Sequence, residues 1–484
     1  MHRRWGSKRA LVALSLLACA PGGWSQQFWS DPFKTLADVP PAPGMEWQPS
    51  KTLPRVPAPE TTPAPPSNAP LSLAELTEYA LRNNPRVRQA WFAARANAAG
   101  VGIEQADRLP QITGNYAITR ILPISGTTGL LAPWQTRHGP TVTLSYILLD
   151  FAREFQVEAA EFRLLASNLN TNRVLQDVVF QVEQAYYRLL GLEALVRVNE
   201  QTLQNIRTAL DAAQRRRESG LATVADVYRS ETQVAQADLN LTRSRGEFEK
   251  ARGALAAAVG LPVNQSLQVQ TVSELPPVRE LTATLNDLLE RARATRPDLV
   301  AAEAQAKAAR ATAQAARRAG LPTVEINALE GRTAFLDQVN EARAPVTNYT
   351  LSLNLRIPIF TGFRDKYTAH QANALAEQAE ASRDALYRQT ELDVWQAYYD
   401  VETAASGIGS TESQVRSAEQ TAQATLARYQ SGFGSILDLI TAQQDEANAR
   451  VQRIQSYLDW YTALARLQFS AGFGDIITAA SAKR

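Results

Sequence analysis

Residues able to do covalent or metal chemistry are few and scattered in this chain. Its 484 residues include one cysteine, Cys19, and three histidines, His2, His138 and His370, all far apart in sequence. Neither a thiol-based site nor a Cys/His zinc site can be built from that set. No glycine-rich phosphate loop, nucleophile elbow or histidine-centred constellation is present. The expectation is therefore a protein without catalytic chemistry and without a cofactor. One suggestive pattern remains, and it occurs twice. Residues 219–227 read SGLATVADV and residues 431–439 read SGFGSILDL. In each, Ser-Gly is followed by a hydroxyl residue (Thr223, Ser435) and then, three positions on, by an aspartate (Asp226, Asp438). A hydroxyl with an acid three residues later has the form of a capping box, which satisfies free N–H groups at a helix start. Gly220 and Gly432 suit the position just past a helix C-terminus. Each nonapeptide therefore reads as the turn of a helical hairpin.

The echo belongs to a longer register with a 212-residue offset. Pro85 pairs with Pro297, Leu109-Pro110 with Leu321-Pro322, Gln184-Ala185-Tyr186-Tyr187 with Gln396-Ala397-Tyr398-Tyr399, and Gly260 with Gly472. A one-residue slip in the strand region aligns Arg153 with Arg364. Two units are expected, residues 71–262 and 282–474, joined by a linker over 263–281 and followed by a short tail over 475–484.

Each unit has the same order of elements. A short helix (Leu73–Asn83; Leu285–Thr295) precedes a proline-started, alanine-rich helix (Pro85–Arg108; Pro297–Ala319), which Leu-Pro ends. Two strand patterns follow, separated by long loops over about 121–139 and 332–347, with His138 in the first loop and His370 on a long helix. Apolar Ile112, Tyr116 and Ile118, then Val142, Leu144, Tyr146 and Leu148, alternate with polar neighbours. In the second unit Val324 and Ile326 begin the pattern, and Tyr349, Leu351, Leu353, Leu355 and Ile357 give its clearest instance. Next, Phe151–Glu218 contains no proline and one glycine, Gly191. A seam from Val174 through Val178, Val182 and Ala185 to Ala213 steps by fours and threes, which is coiled-coil spacing, with Asn199 its single polar member. The second unit repeats the seam from Leu386 to Thr425 with smaller residues, and Gly407 and Gly409 interrupt that helix. Returning helices are expected over Thr223–Val259 and Ser435–Ala471.

The N-terminus carries basic His2-Arg3-Arg4, Lys8 and Arg9 before a short apolar run, Ala10–Ala20. That is a secretory signal, too short to span a bilayer. Residues 1–25 are expected to be removed before Gln26; the alternative is a lipobox-like Leu16-Leu17-Ala18-Cys19 with Cys19 lipidated. Residues 26–70 include eleven prolines between positions 40 and 70, and read as extended polyproline. Net charge is +2, which does not suggest a nucleic-acid partner. Four amphipathic strands leave two open edges, and open edges do not survive in lipid. Alternating strands in an exported chain without membrane helices are the pattern of an outer-membrane barrel, and three copies would close twelve strands. Long hairpins continuing from the barrel would form a conduit. A secreted coiled-coil scaffold or adhesion protein without a pore is the competing reading; it explains the helices and the export but not the duplicated strand pairs.

With these features in view the chain resembles the TolC-type outer membrane efflux channels over residues 71–474. The residues carrying the likeness are Asn84-Pro85, Gly220 with Asp226, and Tyr429 with Gly432 and Asp438. The resemblance implies a mainly α fold with β: long hairpins forming a periplasmic α-barrel, and four strands per chain in a homotrimeric twelve-strand barrel within outer-membrane lipid of a Gram-negative cell. It further implies service in tripartite efflux or type I secretion, with a periplasmic adaptor and an inner-membrane transporter as partners. By that likeness Asp438 matches a constriction aspartate, Tyr429 a tip tyrosine of the closed state, and Asp226 its acidic partner; charged rings select ions in other pores. Gly434 and Thr441 depart from the family pattern, standing where a bridging arginine and a second aspartate are expected. Gly220, Leu221, Thr223, Gly432, Phe433 and Ser435 are the expected adaptor-docking residues at the tips.

Overall fold

The computed structural model describes residues 70–122, 134–264, 267–270, 281, 283–336 and 344–472, all within the unit Ala64–Arg484. The signal segment with Cys19, the proline-rich stretch, the central parts of both long loops and the C-terminal tail lie outside the described residues.

Twelve elements are described. The first unit contains α1 (Leu73–Asn83), α2 (Pro85–Ala106), β1 (Gln111–Ile121), β2 (Gln135–Leu149), α3 (Arg153–Glu218) and α4 (Val224–Val259). The second contains α5 (Leu285–Thr295), α6 (Pro297–Arg318), β3 (Thr323–Phe335), β4 (Val346–Arg356), α7 (Arg364–Gln430) and α8 (Ile436–Ser470). Local chemistry explains the starts. Ser72 and Glu75 form a full capping box at α1, and Thr284 and Asp287 repeat it at α5. Pro85 and Pro297 occupy first-turn positions of α2 and α6, where a missing N–H costs nothing. At about 1.5 Å per residue, the 66 residues of α3 and 67 of α7 run roughly 100 Å each. No described helix is long and apolar enough to cross a membrane.

The cores repeat with the same offset as the sequence. Leu76, Val182 and Leu255 are fully buried in the first unit, and their counterparts Leu288, Val394 and Leu467 are fully buried in the second. The predicted seams form: Val178, Leu189, Leu203 and Ala213 on α3, and Val401, Ile408, Val415 and Ala422 on α7, are buried. Asn199, the polar exception, lines a groove of about 300 Å³ with other amides, among them Gln233, Gln236, Asn240 and Gln443. The segment read as a linker contributes to the first core: Leu267 is buried there, and Val269 bridges Leu71 in parallel. The units are tied together by Arg173 on α3, which reaches Asp177 at 3.4 Å and Asp298 of α6 at 3.7 Å.

The four strands form one antiparallel sheet in the order β1-β2-β3-β4. Register puts Ile112, Leu144, Ala328 and Leu351 in one row, and Tyr146, Ile326 and Leu353 in the next. This face is apolar and exposed: Ile112 is 70%, Leu351 78% and Tyr349 75% accessible. Thr113, Thr143, Asn327 and Ser352 alternate onto the opposite face. The strands extend further than the alternation alone marks, so that His138, expected in a loop, lies in β2 opposite Ile118, where the Tyr116 hydroxyl meets its Nδ1 at 2.8 Å. The adjacent Gly139-Pro140 hid the strand: proline removes a donor, and the ladder to β3 skips these two residues. Glycine is required there, because a Cβ on Gly139 would sit 1.7 Å from the Arg332 carbonyl oxygen.

Candidate functional site

Each nonapeptide is a hairpin turn built by backbone geometry first. Gly220 and Gly432 have φ of +73° and +90°. In the first turn Leu221 N–H donates to the Arg216 carbonyl (2.8 Å) and Gly220 N–H to that of Arg217 (2.9 Å). In the second, Phe433 N–H donates to Arg428 (3.0 Å) and Gly432 N–H to Tyr429 (3.1 Å). Both are Schellman closures, which demand the left-handed residue that glycine supplies. The following helices then start differently. Thr223 and Asp226 make a reciprocal capping box, and the Thr223 backbone N–H holds the Asp226 carboxyl below its ordinary range. Ser435 accepts from the Asp438 N–H at 3.1 Å, but Asp438 makes no return bond. The full box expected at the second turn is thus half a box. The Asp438 carboxylate is exposed, with no partner among the described residues, whereas that of Asp226 is engaged.

The fold sets the two turns side by side. Tyr429, Ile436, Leu439 and Ile440 of the second hairpin pack on Ala209 and Ala213 of α3. Tyr429 is 3% accessible, and its hydroxyl, although buried, has no hydrogen-bond partner. The expected bond between Tyr429 and Asp226 is therefore absent in one chain, because Asp226 is committed to its cap. Arg216 makes the connection instead. Its guanidinium lies 4.6 Å from the Tyr429 ring centroid, Nη1 donates to the Tyr429 carbonyl, and Nη2 reaches that of Leu221 at 3.5 Å. Sequence reading missed this residue; the signal was the Arg215-Arg216-Arg217 run in the last turn of α3, where cations also complement the helix dipole. Gly434 now has a structural reason: a Cβ there would lie 3.0 Å from the Tyr429 nitrogen, so the second turn folds tightly over its own helix end. Thr441 is exposed on α8. Of the docking candidates, Gly220, Thr223, Gly432 and Ser435 are exposed, and Leu221 and Phe433 present large apolar side chains to solvent at 68% and 83% accessibility.

A second unforeseen residue is Glu183 on α3, one helical turn before Tyr187, which stacks on Tyr461 (4.7 Å). Its Oε2 is buried without a partner, and burial pushes its carboxyl up to about 7. An acid with a raised value binds its proton more tightly folded than unfolded. Its stabilising effect is present below the ordinary carboxylate value and is lost as pH rises through about 7. Glu183→Gln is expected to raise the melting temperature at pH 8 while leaving it little changed at pH 4. Parallel melting profiles for the two proteins across that range would show that Glu183 carries no such linkage.

Comparison with known proteins agrees with this geometry. The model of the outer membrane efflux protein family matches residues 76–261 and 288–473. Protein CyaE of Bordetella pertussis is 27% identical over 406 residues, covering 83% of this chain and 84% of the relative. The outer membrane efflux protein BepC of Brucella suis is 23% identical, covering 81% and 83%. The crystal structure of the outer membrane protein VceC from Vibrio cholerae superposes with a TM-score of 0.72 at 21% identity, over 83% of this chain and 96% of that one. Duplicated helix–strand–strand–helix–helix units, an amphipathic sheet open at both edges and paired hairpin turns together meet a family match spanning most of the sequence: the chain belongs to the outer membrane efflux protein family.

Proposed function

We propose that three copies of this chain form an exit conduit in the outer membrane of a Gram-negative cell, serving as the last component of a tripartite efflux or type I secretion system. The observation that carries this is the sheet. Its apolar face is exposed on β1, β2 and β4 and both edges are open, a combination stable only in lipid and only when other copies supply the missing neighbours. A scaffold without a pore has no use for that wall. The helical hairpins extend into the periplasm, and their exposed turns are the docking surface for a periplasmic adaptor, itself joined to an inner-membrane transporter. Gly220, Leu221, Thr223, Gly432, Phe433 and Ser435 form that surface. Asp438 is the gate residue: its carboxylate is exposed and unspent, so three copies would place three negative charges around the narrow end, attracting cations and repelling anions. Asp226 acts by fixing the first turn, and Tyr429 by anchoring the second.

The test is conduction in planar lipid bilayers. The wild-type protein should give discrete conductance steps blocked by divalent cations, and Asp438→Ala should weaken that block severalfold. Unaltered block would show that the Asp438 carboxylate takes no part in a gate, and absence of any conductance would count against the conduit. For docking, a cysteine at position 433 should crosslink to a co-expressed adaptor; no crosslink from any tip position would place the docking surface elsewhere.

A further inference from the structure

The exposed apolar side of the sheet changes character in one row. On β4 that side reads Ile357, Leu355, Leu353, Leu351 and Tyr349, each more than half accessible, and then Thr347. Register pairs Thr347 with Arg332, and the same side of β3 reads Ile326, Ala328, Glu330 and Arg332. On β1 the side ends on Arg120, opposite Thr136 of β2. The Leu336 N–H donates to the Thr136 carbonyl (3.0 Å), which sets the row of Arg120 four residues beyond that of Arg332. Ile357 to Thr347 spans ten residues. That is about 34 Å of strand at ~3.4 Å per residue, or roughly 26 Å of height at a ~40° tilt, against an apolar band about 25 Å tall in membrane barrels. This end of the sheet carries the β1–β2 and β3–β4 connections and lies away from the helices. Arg332 therefore stands where the hydrocarbon ends on the outer side, and Arg120 stands beyond it.

We propose that Arg332 and Arg120 bind the phosphates of an outer-leaflet lipid headgroup, each guanidinium holding one. Both side chains are exposed, and neither meets a carboxylate among the described residues. Arg120 lies over the Trp134 ring at 5.4 Å, an aromatic neighbour of the kind that marks a membrane interface. Glu330 is the only acid on this side of the described strands. It stands two residues before Arg332, and no ion pair joins them. A cation on the lipid-facing wall has no aqueous lumen to hydrate it and here no protein anion to pair with. What it faces at this height is the headgroup layer. The planar fork of a guanidinium matches phosphate, and basic groups at a membrane surface draw anionic lipid to them. The two arginines are about 14 Å apart along the strands and about 10 Å across them, too far for one phosphate. The pair therefore suits a headgroup bearing more than one. Glu330, one row deeper, repels an anion that sinks toward the hydrocarbon, and so keeps the phosphate at the level of Arg332.

The site rests on the outer-membrane placement proposed above, and the experiment separates their failures. The full chain in detergent is mixed with diphosphoryl lipid A, or with the same lipid after removal of its phosphates, and bound lipid is counted by native mass spectrometry. The wild type should retain the phosphorylated form about tenfold better. The double variant Arg120→Gln/Arg332→Gln should lose that preference while conducting in planar bilayers as the wild type does. Inorganic phosphate in excess should not displace the lipid; displacement would assign the arginines to a soluble anion and overturn the headgroup site. Glu330→Gln should retain the lipid at least as well as the wild type. If retention fell in Glu330→Gln and survived loss of both arginines, a bridging divalent cation would hold the phosphate, and the arginine site would be overturned. Conduction without preference for the phosphorylated lipid overturns the site and leaves the conduit standing. Absence of conduction overturns the conduit, and the outer-leaflet placement with it.

Discussion

Leu351→Arg is expected to abolish stable insertion in the outer membrane, whereas Ser352→Arg, one residue away, is expected to be tolerated. Leu351 stands mid-strand in β4, is 78% accessible, and shares a row with Ala328, Leu144 and Ile112 on the apolar face. Arginine at the lipid midplane of a barrel costs about 2–4 kcal/mol. Three chains would bear that cost together, a total comparable with the whole stability of an ordinary domain, about 5–15 kcal/mol. Ser352 points to the other face, which an aqueous lumen would wet, so a charge there keeps its hydration. The measurement is fractionation with carbonate or urea extraction of outer membranes. Equal extraction of both variants would mean that the apolar face does not meet lipid, and the barrel reading would fail with it.

The second large effect is expected at the tips. Arg216→Ala should release the contact between the two hairpin turns, while Tyr429→Phe should be close to neutral. Arg216 combines a ring contact with Tyr429 and hydrogen bonds to the carbonyls of Tyr429 and Leu221. Charge-assisted hydrogen bonds contribute about 1.5–3 kcal/mol and a partly shielded cation–π contact about 0.5–2 kcal/mol. Because the two overlap, a loss of about 2–3 kcal/mol is expected, roughly a 30- to 150-fold gain in local opening. The Tyr429 hydroxyl is buried without a partner, so its removal forfeits no bond, and phenylalanine keeps the ring under the guanidinium. Amide hydrogen exchange at 426–440 reads this directly. If Tyr429→Phe exchanged as fast as Arg216→Ala, the hydroxyl would hold the closed tip after all, through a neighbouring chain.

Much of this was legible in the sequence because its signals are local or periodic. The 212-residue echo is matched by the repeated order of elements, α1 and α5 begin and end where their caps and prolines placed them, and strict alternation marked the exposed apolar residues of β4. Coiled-coil spacing selected the buried seam of α3 and α7, since a stripe of fours and threes has one face to hide. Family likeness named the turns as tips. What it carried over less well was the wiring between them: Asp226 is engaged in its own cap, and the tyrosine is held by an arginine that no spacing rule marks.

The sequence by itself determined the elements and their faces, for capping, helix periodicity and strand alternation are decided within a few residues of chain. Only the tertiary structure decided which neighbours meet. It took Arg216, some 213 positions from Tyr429, to its carbonyl. It buried one carboxylate oxygen of Glu183 without a partner, and left Asp438 exposed while an identical residue in the first turn was consumed by a cap. Such pairings depend on how two long helices align over many turns, and that alignment is a property of the packed molecule rather than of any one segment.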